Sequence, residues 1–127
     1  ELMRKGEFLK ERAEKFFKHA QYLYSNGDYD LAAFNFEQAA QLFLKYYIFD
    51  AVGAYPPSHS IELLLKEIEK IFSEKEKIRN LLTEKREIIR DLEESYITSR
   101  YLPANFYKEQ IERMKIFVED LKSFLFP

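Results

Sequence analysis

Apolar residues recur along this chain at helical spacing. Between residues 7 and 26, Leu9, Ala13, Phe16, Ala20 and Leu23 succeed one another at intervals of four, three, four and three, which puts them on one face of a helix. Gly27 can supply a left-handed stop, and Asp28 or Asp30 can cap the next helix. A second stripe, Ala32, Phe36, Ala39, Phe43 and Tyr47, runs to Val52. Alanines at inward positions of both stripes let the two backbones approach closely, which predicts an antiparallel hairpin with a short turn.

Gly53-Ala54-Tyr55-Pro56-Pro57-Ser58 is a loop, because adjacent prolines remove donors and restrict the residues before them. Ser58 or Ser60 can cap a third helix with Ile61, Leu64, Leu65, Ile68 and Phe72 inward. Residues 73–77 are almost wholly charged and read as a turn or a frayed link. A fourth helix is marked by Ile78, Leu81, Leu82, Ile88, Ile89, Leu92 and Tyr96, and Thr98-Ser99-Arg100-Tyr101-Leu102-Pro103 is expected to break it. The last helix carries Ile111, Met114, Val118, Leu121 and Leu125, with Phe117 and Phe124 widening its stripe. With short connections and no strand pattern, the expected fold is all-α, an antiparallel up-and-down bundle of four to five helices.

Composition narrows the function classes. A chain of 127 residues, 46% hydrophobic with 12 Phe and 9 Tyr, has core material for a single domain over residues 1–127. The aromatic surplus suggests a homodimer. The absence of Cys excludes disulfides, thiolate chemistry and Cys-held metals, and fits a reducing compartment. Twenty basic against 22 acidic residues leave a net charge of −2, which argues against nucleic acid or an anionic membrane as a partner, so phosphate contacts would be local. No apolar run approaches the roughly 20 residues of a membrane span, and no signal-peptide core comes after Glu1-Leu2-Met3-Arg4-Lys5. A cytoplasmic location is expected.

The candidate chemistry is sparse. His19 and His59 are the only histidines, and neither has Glu three residues before it as a di-iron bundle requires, so no metal and no cofactor are expected. The three glycines form neither a phosphate loop nor a dinucleotide fingerprint. His59, between Ser58 and Ser60, reads as a polar plug capping the third helix, and His19 as a partly buried structural residue. Lys45 lies among Phe43, Leu44, Tyr46 and Tyr47, where its stem can pack while the ammonium reaches an anion, a carboxylate or solvent. Arg79, Arg86 and Arg90 share one helical face, read as solvated with an Arg90–Glu94 ion pair. Tyr96-Ile97-Thr98-Ser99-Arg100-Tyr101 gathers a guanidinium, hydroxyls and stacking rings at a helix end. It suits either a nucleotide contact or a Tyr-rich structural loop.

Taken together, Ala20, Gly27-Asp28-Tyr29, Ala32-Ala33, Phe36, Gln38-Ala39-Ala40, Leu44-Lys45, Pro57-Ser58-His59-Ser60-Ile61 and Tyr96-Ile97 with Ser99-Arg100-Tyr101 resemble the HEPN domain, the higher eukaryote and prokaryote nucleotide-binding fold. The resemblance implies a bundle of four or five helices, often dimeric, and in many prokaryotic members an adjacent minimal nucleotidyltransferase in a toxin–antitoxin pair. The family's Gln-Ala-Ala-Glu-Lys-x-Leu-Lys pattern becomes Gln38-Ala39-Ala40-Gln41-Leu42-Phe43-Leu44-Lys45, with Gln41 where the acid usually stands.

Lys45, His59, Tyr96, Ser99, Arg100 and Tyr101 are the nucleotide-binding residues that the resemblance implies, for an ATP-like ligand. The ribonuclease branch carries Arg, a polar residue and then His after four to six intervening positions. Arg79-Asn80 begins that motif, but Glu84, Lys85 and Arg86 occupy the places of the histidine, and the literal match Arg12 to His19 lies in the first helix. A non-catalytic nucleotide-binding module, with no catalytic residue assigned, is therefore the leading expectation. The alternatives are a tetratricopeptide-like interaction module, from Tyr22, Gly27-Asp28-Tyr29, Ala32, Phe36 and Ala39, and a divergent HEPN ribonuclease or toxin.

Overall fold

The structure, a computed structural model, describes residues 2–101 and 105–127, with side chains over 6–98 and 105–127. Its helices are α1 (Leu2–Ser25), α2 (Tyr29–Val52), α3 (Ile61–Ile71), α4 (Lys75–Glu84), α5 (Arg86–Tyr101) and α6 (Lys108–Leu125), and no strand occurs among the described residues. The all-α bundle expected from the periodicity is what forms, with six helices in place of four or five.

α1 and α2 form the predicted hairpin. Gly27, at φ 81°, closes it in the left-handed region that a Cβ would make costly, and Gly53, also at φ 81°, ends α2 with its N–H donated to the Phe49 carbonyl. Ala13 and Ala20 of α1 and Ala32, Ala33, Ala39 and Ala40 of α2 are fully buried, as close backbone approach requires. Asp28 holds the N-cap position of α2 without a side-chain cap bond, while the Asp30 carboxylate accepts from the Leu31 N–H. Tyr24 donates its hydroxyl to Glu112 at 2.5 Å, tying α1 to α6 and pushing the phenol pKa up to about 12.

α2 is the central helix, packed by α1, α3, α5 and α6. Its buried residues, among them Phe36, Phe43, Leu44 and Ile48, therefore lie on more than one face. The aromatic residues read as surplus pack largely on one another inside the chain. Phe72 stacks on Phe124 at 5.1 Å, and Phe126 meets Tyr46 at 5.3 Å and Tyr47 at 6.1 Å, which fixes the end of α6 against α2 and α3.

The additional helix comes from a break in the expected fourth one. Lys85 occupies the inward slot seven residues after Ile78, and with φ −106° and ψ 20° it ends α4 and turns the chain into α5. The break lets α4 lie on α3 through Ile78 while α5 turns Ile89 and Leu92 into the core beside α2, two directions one straight helix could not serve. The charged segment 73–77 is a turn followed by the first residues of α4, with Glu74 at the N-cap. At the far end the expected break at Thr98 is absent. Thr98 donates its hydroxyl to the Glu94 carbonyl at 3.0 Å and α5 runs on to Tyr101.

Candidate functional site

The polar groups of α2 that face inward collect on one stretch. Glu37 is fully buried, and its carboxylate accepts from the side-chain amides of Gln38, at 2.8 Å, and Gln41. Burial pushes its pKa up to about 7, with the nearby Glu93 carboxylate adding to the shift, and the two glutamine amides and Lys45 opposing it. Lys45, two turns further on, is half-buried, with Nζ 5.5 Å from the Tyr55 ring centroid. Desolvation lowers its pKa and the Glu37 carboxylate opposes that.

The loop before α3 meets α5 beside this stretch. Ser60 is the N-cap of α3, accepting from the Leu63 N–H at 3.2 Å and donating to Glu93 Oε1 at 2.8 Å. The same Glu93 oxygen accepts from the Glu62 N–H at 3.1 Å, so α5 supplies a second acceptor to the start of α3. Replacing Ser60 with Ala removes both bonds, and urea unfolding should show a loss of about 1–2 kcal/mol. Next to it the exposed His59 ring stacks on Tyr96 at 5.1 Å and 20°, and Tyr96 in turn stacks with Phe34 of α2 at 6.3 Å and 14°. The three rings form a ladder from half-buried Phe34 and Tyr96 out to exposed His59.

The HEPN domain model matches residues 7–125. This chain belongs to the HEPN family. No curated protein and no solved structure matches it. Of the HEPN residues expected to bind a nucleotide, His59 and Tyr96 come together in the ladder. Lys45 stands apart from them on α2, with the electrostatic series Lys45, Glu37 and Glu93 leading to Ser60, which bonds Glu93. Ser99, Arg100 and Tyr101 have side chains outside the described residues.

Glu37, Glu93 and Phe34 were not singled out in the sequence. Glu37 carried one signal, its place four residues before Gln41, the spacing at which two side chains meet on one helix face.

Several expectations for polar residues are corrected. His59 does not cap α3, since Ser60 fills that role one residue later and leaves the imidazole free to stack. His19 is exposed rather than partly buried, because among the described residues no helix packs on its side of α1, and it lines a cavity of about 260 Å3 with Arg12, Lys15 and Phe16. Arg79 pairs with Glu69 of α3 at 2.5 Å, and the break at Lys85 parts it from Arg86 and Arg90. Those two open on a cavity of about 180 Å3 lined also by Glu62 and Glu93, and among the described residues Arg90 forms no ion pair with Glu94.

Proposed function

We propose that this HEPN chain is a non-catalytic nucleotide-binding module that works as one domain and as a homodimer, in the cytoplasm, beside a minimal nucleotidyltransferase of the toxin–antitoxin type. The observation that carries the nucleotide reading is the His59–Tyr96–Phe34 ladder, whose outer ring is exposed. An adenine stacked on His59 would extend it by one step. Phosphates would go to Lys45 and Arg100, and Ser99 and Tyr101 would complete the site, roles assigned from the family pattern. The partner reading rests on family membership alone. The engagement of Arg79 by Glu69, with no histidine after it in α4 or at the start of α5, supports a non-catalytic role. The tetratricopeptide alternative loses support because α3, α5 and α6 of the same bundle cover α2, where an array would use a second helix pair.

Titration calorimetry against ATP and the other nucleoside triphosphates should give saturable heat. His59→Ala should weaken binding by roughly tenfold, the usual worth of one stacking contact, and Arg100→Ala should abolish or weaken it. No heat with folded protein would remove the nucleotide half of the proposal. The partner half would then rest on co-purification of a nucleotidyltransferase from the native cell, with light scattering to fix the mass.

A further inference from the structure

The outer face of α1 carries a cavity of about 260 Å3 that the nucleotide site does not use, lined by Arg12, Lys15, Phe16 and His19. Phe8, Arg12, Lys15, Phe16, His19 and Tyr22 fall within an arc of roughly 120° on the helix, at about 100° per residue. Glu7, Glu11 and Glu14 fall outside that arc. Arg12 lies over the Phe8 ring at 4.9 Å and the His19 ring stands 6.3 Å from Tyr22, so aromatic neighbours flank both groups.

Two other charged groups of the same helix are engaged elsewhere. Lys10 sits over Tyr46 at 5.8 Å, and the Glu14 carboxylate is taken by Lys122 of α6 at 2.6 Å. Among the described residues no carboxylate lies in ion-pairing range of Arg12, Lys15 or His19. Three donors on successive turns thus converge on one partly apolar cavity with no internal anion to satisfy them.

We propose that this cavity binds a phosphoryl group, held by Arg12, Lys15 and His19, at a site separate from the α2–α5 ladder. A tetrahedral phosphate offers acceptor oxygens in several directions, matching three donors from three side chains, whereas a carboxylate presents two in one plane. The guanidinium gives a bidentate contact and the ammonium a point charge. With two permanent cations on a chain of net charge −2, the face suits a compact phosphate or the phosphate of a small nucleotide and not a long polyanion.

The two histidines make the test specific, since His59 reports the ladder and His19 the cavity. Imidazole NMR resonances would be tracked while inorganic pyrophosphate, and separately AMP, is added to the full chain. A saturable shift of His19 with pyrophosphate, weakened by about tenfold in Arg12→Gln and in Lys15→Gln, is the expected result. Both substitutions lie on the solvent face, and unchanged helical circular dichroism would show that the fold is intact. Tighter binding of AMP than of pyrophosphate at His19 would make the source a nucleotide, and the reverse a free phosphate. Movement of His59 alone would overturn the proposal while leaving the ladder reading intact. A His19 shift that fails to saturate by roughly 10 mM, or that persists equally in both variants, would overturn it as well. So would no shift at either ring.

Discussion

Phe36→Ala should lower the unfolding free energy by about 3–5 kcal/mol, read as a fall in the urea midpoint with little change in slope. Phe36 is completely buried in α2 and meets Phe17 of α1 edge-on, with centroids 5.6 Å apart. Its removal takes away the transfer free energy of a whole ring and leaves a hole in the helix that four others pack against, where neighbours can relax least. Against a typical total of about 5–15 kcal/mol, the variant would be near the limit of folding at ambient temperature. Phe8→Ala is the matching control. That ring is 54% exposed, and its loss should change stability by less than about 1 kcal/mol.

The second large effect is a dependence of stability on pH that belongs to Glu37. Its pKa rises from the ordinary 4.5 to about 7 in the folded chain, so between those values the native state holds a proton that the unfolded state has released. The stability that Glu37 contributes is therefore fullest below pH 4.5, falls as pH rises towards 7, and levels off above it. At about 1.4 kcal/mol per pH unit the span amounts to about 3 kcal/mol, as an upper figure for this one group. Glu37→Gln keeps the shape and an acceptor for Gln41 but cannot ionise. The difference in stability between wild type and this variant should change by about 2–3 kcal/mol between pH 5 and pH 8, in favour of the variant at the higher pH. Equal pH profiles for the two proteins would show that Glu37 titrates as a solvated acid does.

Much of the bundle was legible because α1, α2, α3 and α6 repeat their apolar residues with few exceptions, and Gly27, Gly53 and Pro56-Pro57 mark the connections. The break at Lys85 was harder to see. Leu81, Leu82, Ile88 and Ile89 keep helical spacing on both sides of it, and the one sign was a lysine in an inward slot. The helix ends there because of the placement of α3 and α2, a tertiary demand that overrides local propensity.

The candidate site divided in the same way. His59 and Tyr96 could be named from their residue types and the family pattern, and the structure stacks them. Glu37 could not, because a single acid within a helix ordinarily faces water. It is buried here because α2 has helices around it on several sides. His19 illustrates the opposite error. It borders an apolar stripe, but α1 is an edge helix and that border is open.

The central place of α2 also bears on the order in which the chain can fold. Its partner α1 precedes it and the turn between them is short, so the hairpin closes a small loop at little entropic cost and can form early. The three helices that cover the rest of α2 come after it in sequence, and α6 leaves the ribosome later than α3 and α5. A nascent chain that has made α1 and α2 but not yet α3, α5 and α6 would carry Phe43 and Leu44 without their final cover, and the span from α2 to α6 sets how long that sticky intermediate persists during synthesis.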